Sequence, residues 1–177
     1  MSLEPITVVV TASGAPGTAA LLRGLRENGE REVRLVGTDM SERSVGRHLC
    51  DAFHLVPAGS DPGFPDAIRD IVQREGAACV LPQSSFDLEG LAAHRDSFPV
   101  PVLVSKPDTI FRSNDKAETY DFLHRLGLPA PAFRRVNGGV RRLPGWSEMW
   151  DAGSGDRILR RTAWFEAHRE ELRRSLA

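Results

Sequence analysis

The sequence predicts an α/β protein built on an open, doubly wound parallel sheet of about five strands. Short β-branched runs alternate with amphipathic stretches from Ile6 to Val104, and most of these segments are closed by a Gly or a Pro. The first run, Ile6-Thr-Val-Val-Val-Thr11, has no apolar–polar alternation. Such a run suits a strand covered on both faces, which places it at the sheet centre. Strands alternating with helices call for parallel βαβ units with right-handed crossovers.

The elements follow in order. Ser13-Gly-Ala-Pro-Gly17 is a tight turn after the first strand. Thr18 to Asn28 reads as a helix with Ala19, Leu22 and Leu25 on its buried face, closed by Gly29. Val33–Gly37 is the second strand and runs into Thr38-Asp39. Val45 to Cys50 is a short helical turn, and Ala52–Val56 a third strand stopped by Pro57. Asp61-Pro62 starts a helix that buries Ala67, Ile68, Ile71 and Val72 and stops at Gly76. Ala78–Leu81 is the fourth strand, Pro82–Ser85 the turn after it, and Phe86 to Phe98 a helix. Val100–Val104 is the fifth strand, and Asp108–Phe111 one helical turn.

Ser113 to Ala132, SNDKAETYDFLHRLGLPAPA, gives one more helix. Asn114 or Ser113 caps it, and Asp115 and Glu118 place negative charge in its first turn. Tyr120, Leu123 and Leu126 form its apolar stripe, with Phe122 beside it. Gly127 stops it, and Pro129 and Pro131 prevent continuation. After Phe133 the periodicity is lost. Residues 140–157 mix Arg, Pro, Gly and Trp, and Trp164 to Leu176 forms an Arg/Glu-rich helix. The expected organisation is one domain over residues 1–133 and a divergent or truncated extension over 134–177.

Composition excludes several classes. The chain is 41% hydrophobic, enough for a sizeable core, yet no apolar run reaches the ~20 residues of a membrane span. MSLEP carries no signal-peptide pattern, and Cys50 and Cys79 read as reduced core thiols, so the expected location is the cytoplasm. Residues 1–133 hold 13 basic and 18 acidic residues, which argues against nucleic-acid binding. Residues 134–177 hold 10 arginines and 6 acids. With all three tryptophans in that quarter, residues 140–177 offer a docking face for a partner or a second copy.

Ligands of doubly wound sheets bind beyond the carboxyl ends of the strands. Ser13, Gly14, Gly17 and Asp39 fall there. The glycines allow close backbone approach to a phosphate at a helix N-terminus. Asp39 lies 22 residues beyond Gly17, near the spacing of a ribose-binding acid. That supports an NAD(P)-binding module; the alternative is a plain strand-to-helix turn with Asp39 as a cap. The motif is not G-x-G-x-x-G, and Pro16 removes one N–H, so tight dinucleotide binding is not expected. Ser84, Ser85 and Asp87 face either a substrate or neighbouring domain, or they cap the helix after them. Lys116 is one of two lysines among 23 basic residues and heads a helix. No catalytic residue and no metal ligand is assigned: His48, His54, His94, His124 and His168 lack metal-type spacing.

These residues carry a resemblance. Asn114-Asp-Lys, a helix, then Leu126-Gly-Leu-Pro-Ala-Pro131 resembles the junction at which the N-terminal domain of ATP-grasp ligases meets the ATP-binding domains. Asp39 with Val45–Pro57, Asp61-Pro62-Gly-Phe and Leu81-Pro82 resemble the same family, in its carbamoyl-phosphate-synthase-like group. The resemblance covers residues 5–133. It implies ATP with magnesium as cofactor, activation of a carboxylate or bicarbonate as an acyl phosphate, and attack by a nitrogen nucleophile on a small-molecule substrate. It also implies that Lys116 contacts nucleotide phosphate. The family's second Lys, Gly-rich flap and acidic magnesium ligands find no counterparts here. The chain alone is therefore expected to bind ATP weakly or not at all and to catalyse nothing. A third reading is a non-catalytic interaction domain.

Overall fold

Val8, Val9 and Val10 are all buried, the last two completely. In the computed structural model, which describes residues 3–130, they lie in β1 (Ile6–Val10). On one side β1 pairs with β2 (Val33–Asp39), on the other with β4 (Cys79–Leu81). β3 (Ala52–Leu55) flanks β2, giving the order β3-β2-β1-β4 with every pairing parallel. β1 is therefore central, as its unbroken apolar run predicts.

Each face of the sheet has its own core. Val9 stands in register with Val36 and Val80, and all three are fully buried. They pack under Phe64, Ile68, Ile71 and Val72 of α3 (Phe64–Glu75) and Leu91 of α4 (Ser85–His94). On the opposite face Val8, Val10, Val33 and Leu35 pack with Leu22 of α1 (Thr18–Arg26). Each such side chain contributes about 1.5–3 kcal/mol through burial. The short α2 (Gly46–Leu49) connects β2 to β3. The sheet is doubly wound, and β1 and β4 flank the point where strand order reverses.

Several boundaries differ from the sequence reading. Val100–Val104 does not form a full fifth strand. It contributes one parallel bridge, Val80 to Val102, held by Val80 N–H to Pro101 O at 3.0 Å and Leu103 N–H to Val80 O at 2.9 Å. β4 offers only three residues to pair with, and Pro101 has no N–H. Ala19 is exposed, and Thr18 takes its place beside Leu22. The helix after β4 ends at His94 and tightens into a 3₁₀ turn, Arg95–Ser97.

α5 (Pro107–Asn114) is longer than one turn, with Pro107 in its first turn. Ser113 and Asn114 therefore close α5 rather than cap α6 (Lys116–Arg125). Asp115 is the cap: its Oδ1 accepts from Ala117 N–H at 2.7 Å and Glu118 N–H at 3.0 Å.

The chain divides into two units, Met1–Phe122 and Leu123–Ala177. In the second, Gly127 takes φ 68 and closes α6, with Leu128 N–H donating to Leu123 O at 3.0 Å. The expected Trp164–Leu176 helix and the docking face over 140–177 lie outside the described residues.

Candidate functional site

The turn after β1 forms the first wall of the site. Ala12 adopts φ 47, in the left-handed region that side chains disfavour. The backbone N–H groups that follow are used internally. Ser13 N–H donates to Thr38 O at 2.9 Å, Gly14 N–H to Asp39 Oδ2 at 2.9 Å, and Ala15 N–H to Ala12 O at 2.9 Å. Thr18 N–H donates to Ala15 O at 3.1 Å, and Pro16 has none to give. Gly14 is required by close approach: a Cβ there would stand 2.6 Å from Ser44 Oγ and 2.9 Å from Asp39 Oδ2.

Asp39 ends β2 and clasps two loops. Oδ2 takes the Gly14 N–H and Oδ1 the Ser41 N–H at 3.0 Å. Ser13 points elsewhere. It is fully buried, its hydroxyl has no hydrogen-bond partner, and it fills the space left by Gly46 and Gly37. Gly17, at φ 90, caps α1 and is exposed.

The facing wall is the start of α4. Ser84 caps this helix, its Oγ accepting from Phe86 N–H at 3.2 Å. Asp87 sits in the first turn and is only 6% exposed. Thr11 Oγ1 donates to Asp87 Oδ2 at 2.6 Å, tying the end of β1 to α4. Burial pushes the Asp87 carboxyl above the usual carboxylate range; the Thr11 hydroxyl opposes this and the Asp39 charge adds to it. Gly59 abuts the same carboxylate, and a side chain at that position would overlap Asp87 Oδ1.

Between the walls lies a cavity of about 450 Å³. Asp39, Gly14, Ser84 and Asp87 line it together with Ala12, Val56, Pro57, Ala58 and Phe64. Met40 and Phe86 stand at its rim, 71% and 79% exposed. Sequence reasoning named Asp39, Gly14, Ser84 and Asp87, and the fold brings all four to one cavity. It missed Thr11 as the partner of Asp87, and it missed the Val56–Ser60 loop. Ser85 lies outside, in an adjoining hollow with Glu89, His94 and Asn114. There Asn114 Nδ2 donates to Ser85 O at 2.9 Å, joining α5 to α4.

ATP phosphates do not fit this cavity. No Lys, Arg or His lines it, two carboxylates do, and the N–H groups of the glycine turn are largely engaged. Lys116 is exposed at the head of α6 and is not part of the lining. Among the described residues no three His, Cys, Asp or Glu side chains group to hold a metal, and no helix is long and apolar enough to cross a membrane.

Strand order 3-2-1-4 and a ligand-sized cavity at the carboxyl edge define a Rossmann-like domain. The chain belongs to the PylC-like N-terminal domain family, whose model matches residues 9–103. No curated protein sequence matches it. Its fold is similar to glycinamide-RNase-transformylase T from Mycobacterium tuberculosis, with TM-score 0.56 and 15% identity over 72% of this chain and 38% of that one. It is also similar to the biotin carboxylase subunit of pyruvate carboxylase, with TM-score 0.54 and 17% identity over 81% of this chain and 33% of that one. A third similar structure is the biotin carboxylase domain dimer of Hydrogenobacter thermophilus 2-oxoglutarate carboxylase, in complex with MgADP and bicarbonate. There the TM-score is 0.54 and the identity 18%, over 71% of this chain and 28% of that one. The chain thus spans between a quarter and two fifths of the length of these proteins.

Proposed function

We propose that this chain supplies the N-terminal wall of an ATP-dependent carboxylate–amine ligase, similar to carbamoyl phosphate synthase large-subunit proteins and working in the cytoplasm. In that chemistry a carboxylate or bicarbonate oxygen attacks the γ-phosphorus of ATP and ADP leaves. A nitrogen nucleophile then attacks the acyl carbon and phosphate leaves. The family match over residues 9–103 carries the reading. Asp39, Gly14, Ser84 and Asp87 face substrate; Ser13 and Gly17 shape the turn that presents them; Ser85 faces a neighbouring domain. Lys116 stabilises phosphate charge from the helix head. Residues 134–177 form a separate extension, and residues 140–177 dock a second copy, by likeness to the MgADP-bound dimer.

The chain alone turns over no ATP, because one hydrated ammonium does not replace a second lysine, metal ions and a flap. Each lost charge-assisted contact costs roughly 1.5–3 kcal/mol, which moves ATP affinity from micromolar towards millimolar. Titration calorimetry of the 177-residue chain with ATP·Mg, NAD and NADP tests this. Weak or undetectable ATP binding and no ADP release are expected. Micromolar NAD or NADP binding makes the domain a dinucleotide module. Magnesium-dependent ATP turnover that is lost in Lys116→Ala overturns the non-catalytic reading.

A further inference from the structure

We propose that Asn28 is a modification site: a spontaneous deamidation that the folded α1–β2 turn holds in check and that, once it occurs, loosens the turn irreversibly. The inference stands apart from the ligase reading.

Asn28 is followed by Gly29, and both are exposed. In such a pair the Gly29 backbone nitrogen attacks Asn28 Cγ. A C–N bond forms, the bond from Cγ to Nδ2 breaks, and the side-chain nitrogen leaves as ammonia with the Gly29 proton. Water then opens the cyclic imide to aspartate or isoaspartate, so no oxidant, reductant or cofactor is needed. Gly29 has no Cβ to obstruct the attack and takes φ 74, which a side chain disfavours.

The fold restrains the other partner. Asn28 Nδ2 donates to Leu25 O at 2.6 Å and to Arg31 O at 2.9 Å. Its Oδ1 accepts from Glu30 N–H at 2.8 Å and Arg31 N–H at 2.9 Å. Both donors and both lone pairs of the amide are thus engaged. Cyclisation must swing Cγ towards the Gly29 nitrogen, which breaks this clasp. The native rate is then the rate of the open turn multiplied by the fraction of time the turn is open.

The product cannot close the clasp again. A carboxylate keeps the two acceptor contacts but has no proton for Leu25 O or Arg31 O, and its charge faces both carbonyls. Leu25 O is among the last carbonyls of α1, at the negative end of the helix, where an added anion is unfavourable. Glu27 and Glu30 flank the position with the same sign. The turn also carries the segment entering β1: Leu3 N–H donates to Glu30 O at 3.0 Å and Ile6 N–H to Glu32 O at 3.1 Å. Opening it therefore loosens the approach to the central strand.

The test follows conversion of the tryptic fragment Glu27–Arg31 by mass at pH 8. Asn137-Gly138, outside the described residues, falls in a different fragment and is read separately. Three samples are compared: the native full chain, the full chain unfolded in guanidinium chloride, and a synthetic peptide of residues 24–32. The unfolded chain and the peptide should convert at similar rates, and the native chain at least about tenfold more slowly. A native rate equal to that of the peptide, or no conversion in the unfolded chain, overturns the proposal. Asn28→Asp, which mimics one product, should lower Tm by about 3–10 °C through the two lost donors. An unchanged Tm overturns the irreversible loosening. ATP and NAD titrations decide the ligase reading whatever these rates are.

Discussion

Replacing Ser13 by Ala should stabilise the protein and leave ligand binding untouched. Ser13 is fully buried and its hydroxyl has no partner. Two glycines crowd it. A Cβ on Gly46 would overlap Ser13 Oγ, and one on Gly37 would stand 2.9 Å from it. The hydroxyl is desolvated without compensation, at a cost of about 1–3 kcal/mol. Deleting one oxygen leaves a void of less than a methyl group, which returns up to ~1 kcal/mol of that. The net gain is up to about 3 kcal/mol. At roughly 3–4 °C per kcal/mol for a unit of this size, Tm should rise by up to about 10 °C. Gly46→Ala should do the reverse, losing about 1–3 kcal/mol by overpacking against Ser13. Ser13→Gly should recover part of that loss in the double variant, because it removes both the Oγ and the Cβ that a new methyl would strike. The assay is urea denaturation followed by circular dichroism. A loss of more than ~1 kcal/mol in Ser13→Ala would refute the reasoning.

Further predictions concern charge and caps. Asp115→Ala should cost about 1 kcal/mol, because two α6 N–H groups lose their acceptor, while Lys116→Ala should leave Tm nearly unchanged; equal Tm shifts would contradict the cap assignment. The raised Asp87 carboxyl makes the native state bind a proton that the unfolded chain has released. Wild-type stability therefore bears a penalty that grows as pH rises from the unfolded value of 3.8 to the higher native one. Asp87→Asn should lack this slope, so its stability relative to wild type should increase from pH 4 to pH 7 in urea midpoints; a decrease would count against it. Burial pushes the Cys50 thiol up to about 11 from 9.0. At pH 8 iodoacetamide should modify it roughly a hundredfold more slowly than a free thiol, and rapid modification seen by intact mass would contradict its packing.

β1, β2 and β4 were legible because their residues face two cores at once. Val8, Val9 and Val10 have no polar neighbour to alternate with, and that pattern has one structural solution. The fifth run failed because β4 pairs through only three residues and Pro101 has no N–H to give, so Val102 makes one bridge. Helix starts were harder. Ser113, Asn114 and Asp115 are all competent caps, and propensity does not rank them. The choice fell to Asp115 because Asn114 is held by Ser85 O and Glu89, a contact formed by tertiary packing. In the site, turn chemistry revealed Gly14 and Asp39. Thr11 was hidden, since a threonine closing a β-branched run looks like one more strand residue.

Asp39 shows how a familiar spacing can serve a different end. In a dinucleotide fold the glycine turn offers its N–H groups to phosphate and the acid after β2 accepts from ribose. Here the acid reaches back across the strand ends and takes the Gly14 N–H itself. A resident carboxylate stands where a ligand anion would have been held. The Gly14 N–H is thereby engaged, and the negative charge of Asp39 is fixed at the mouth of the cavity. Across from it Asp87 is kept in place by Thr11, with one oxygen left over. At the other helix head the same economy holds: Lys116 opens α6, and the Ala117 and Glu118 N–H groups behind it are already taken by the Asp115 carboxylate.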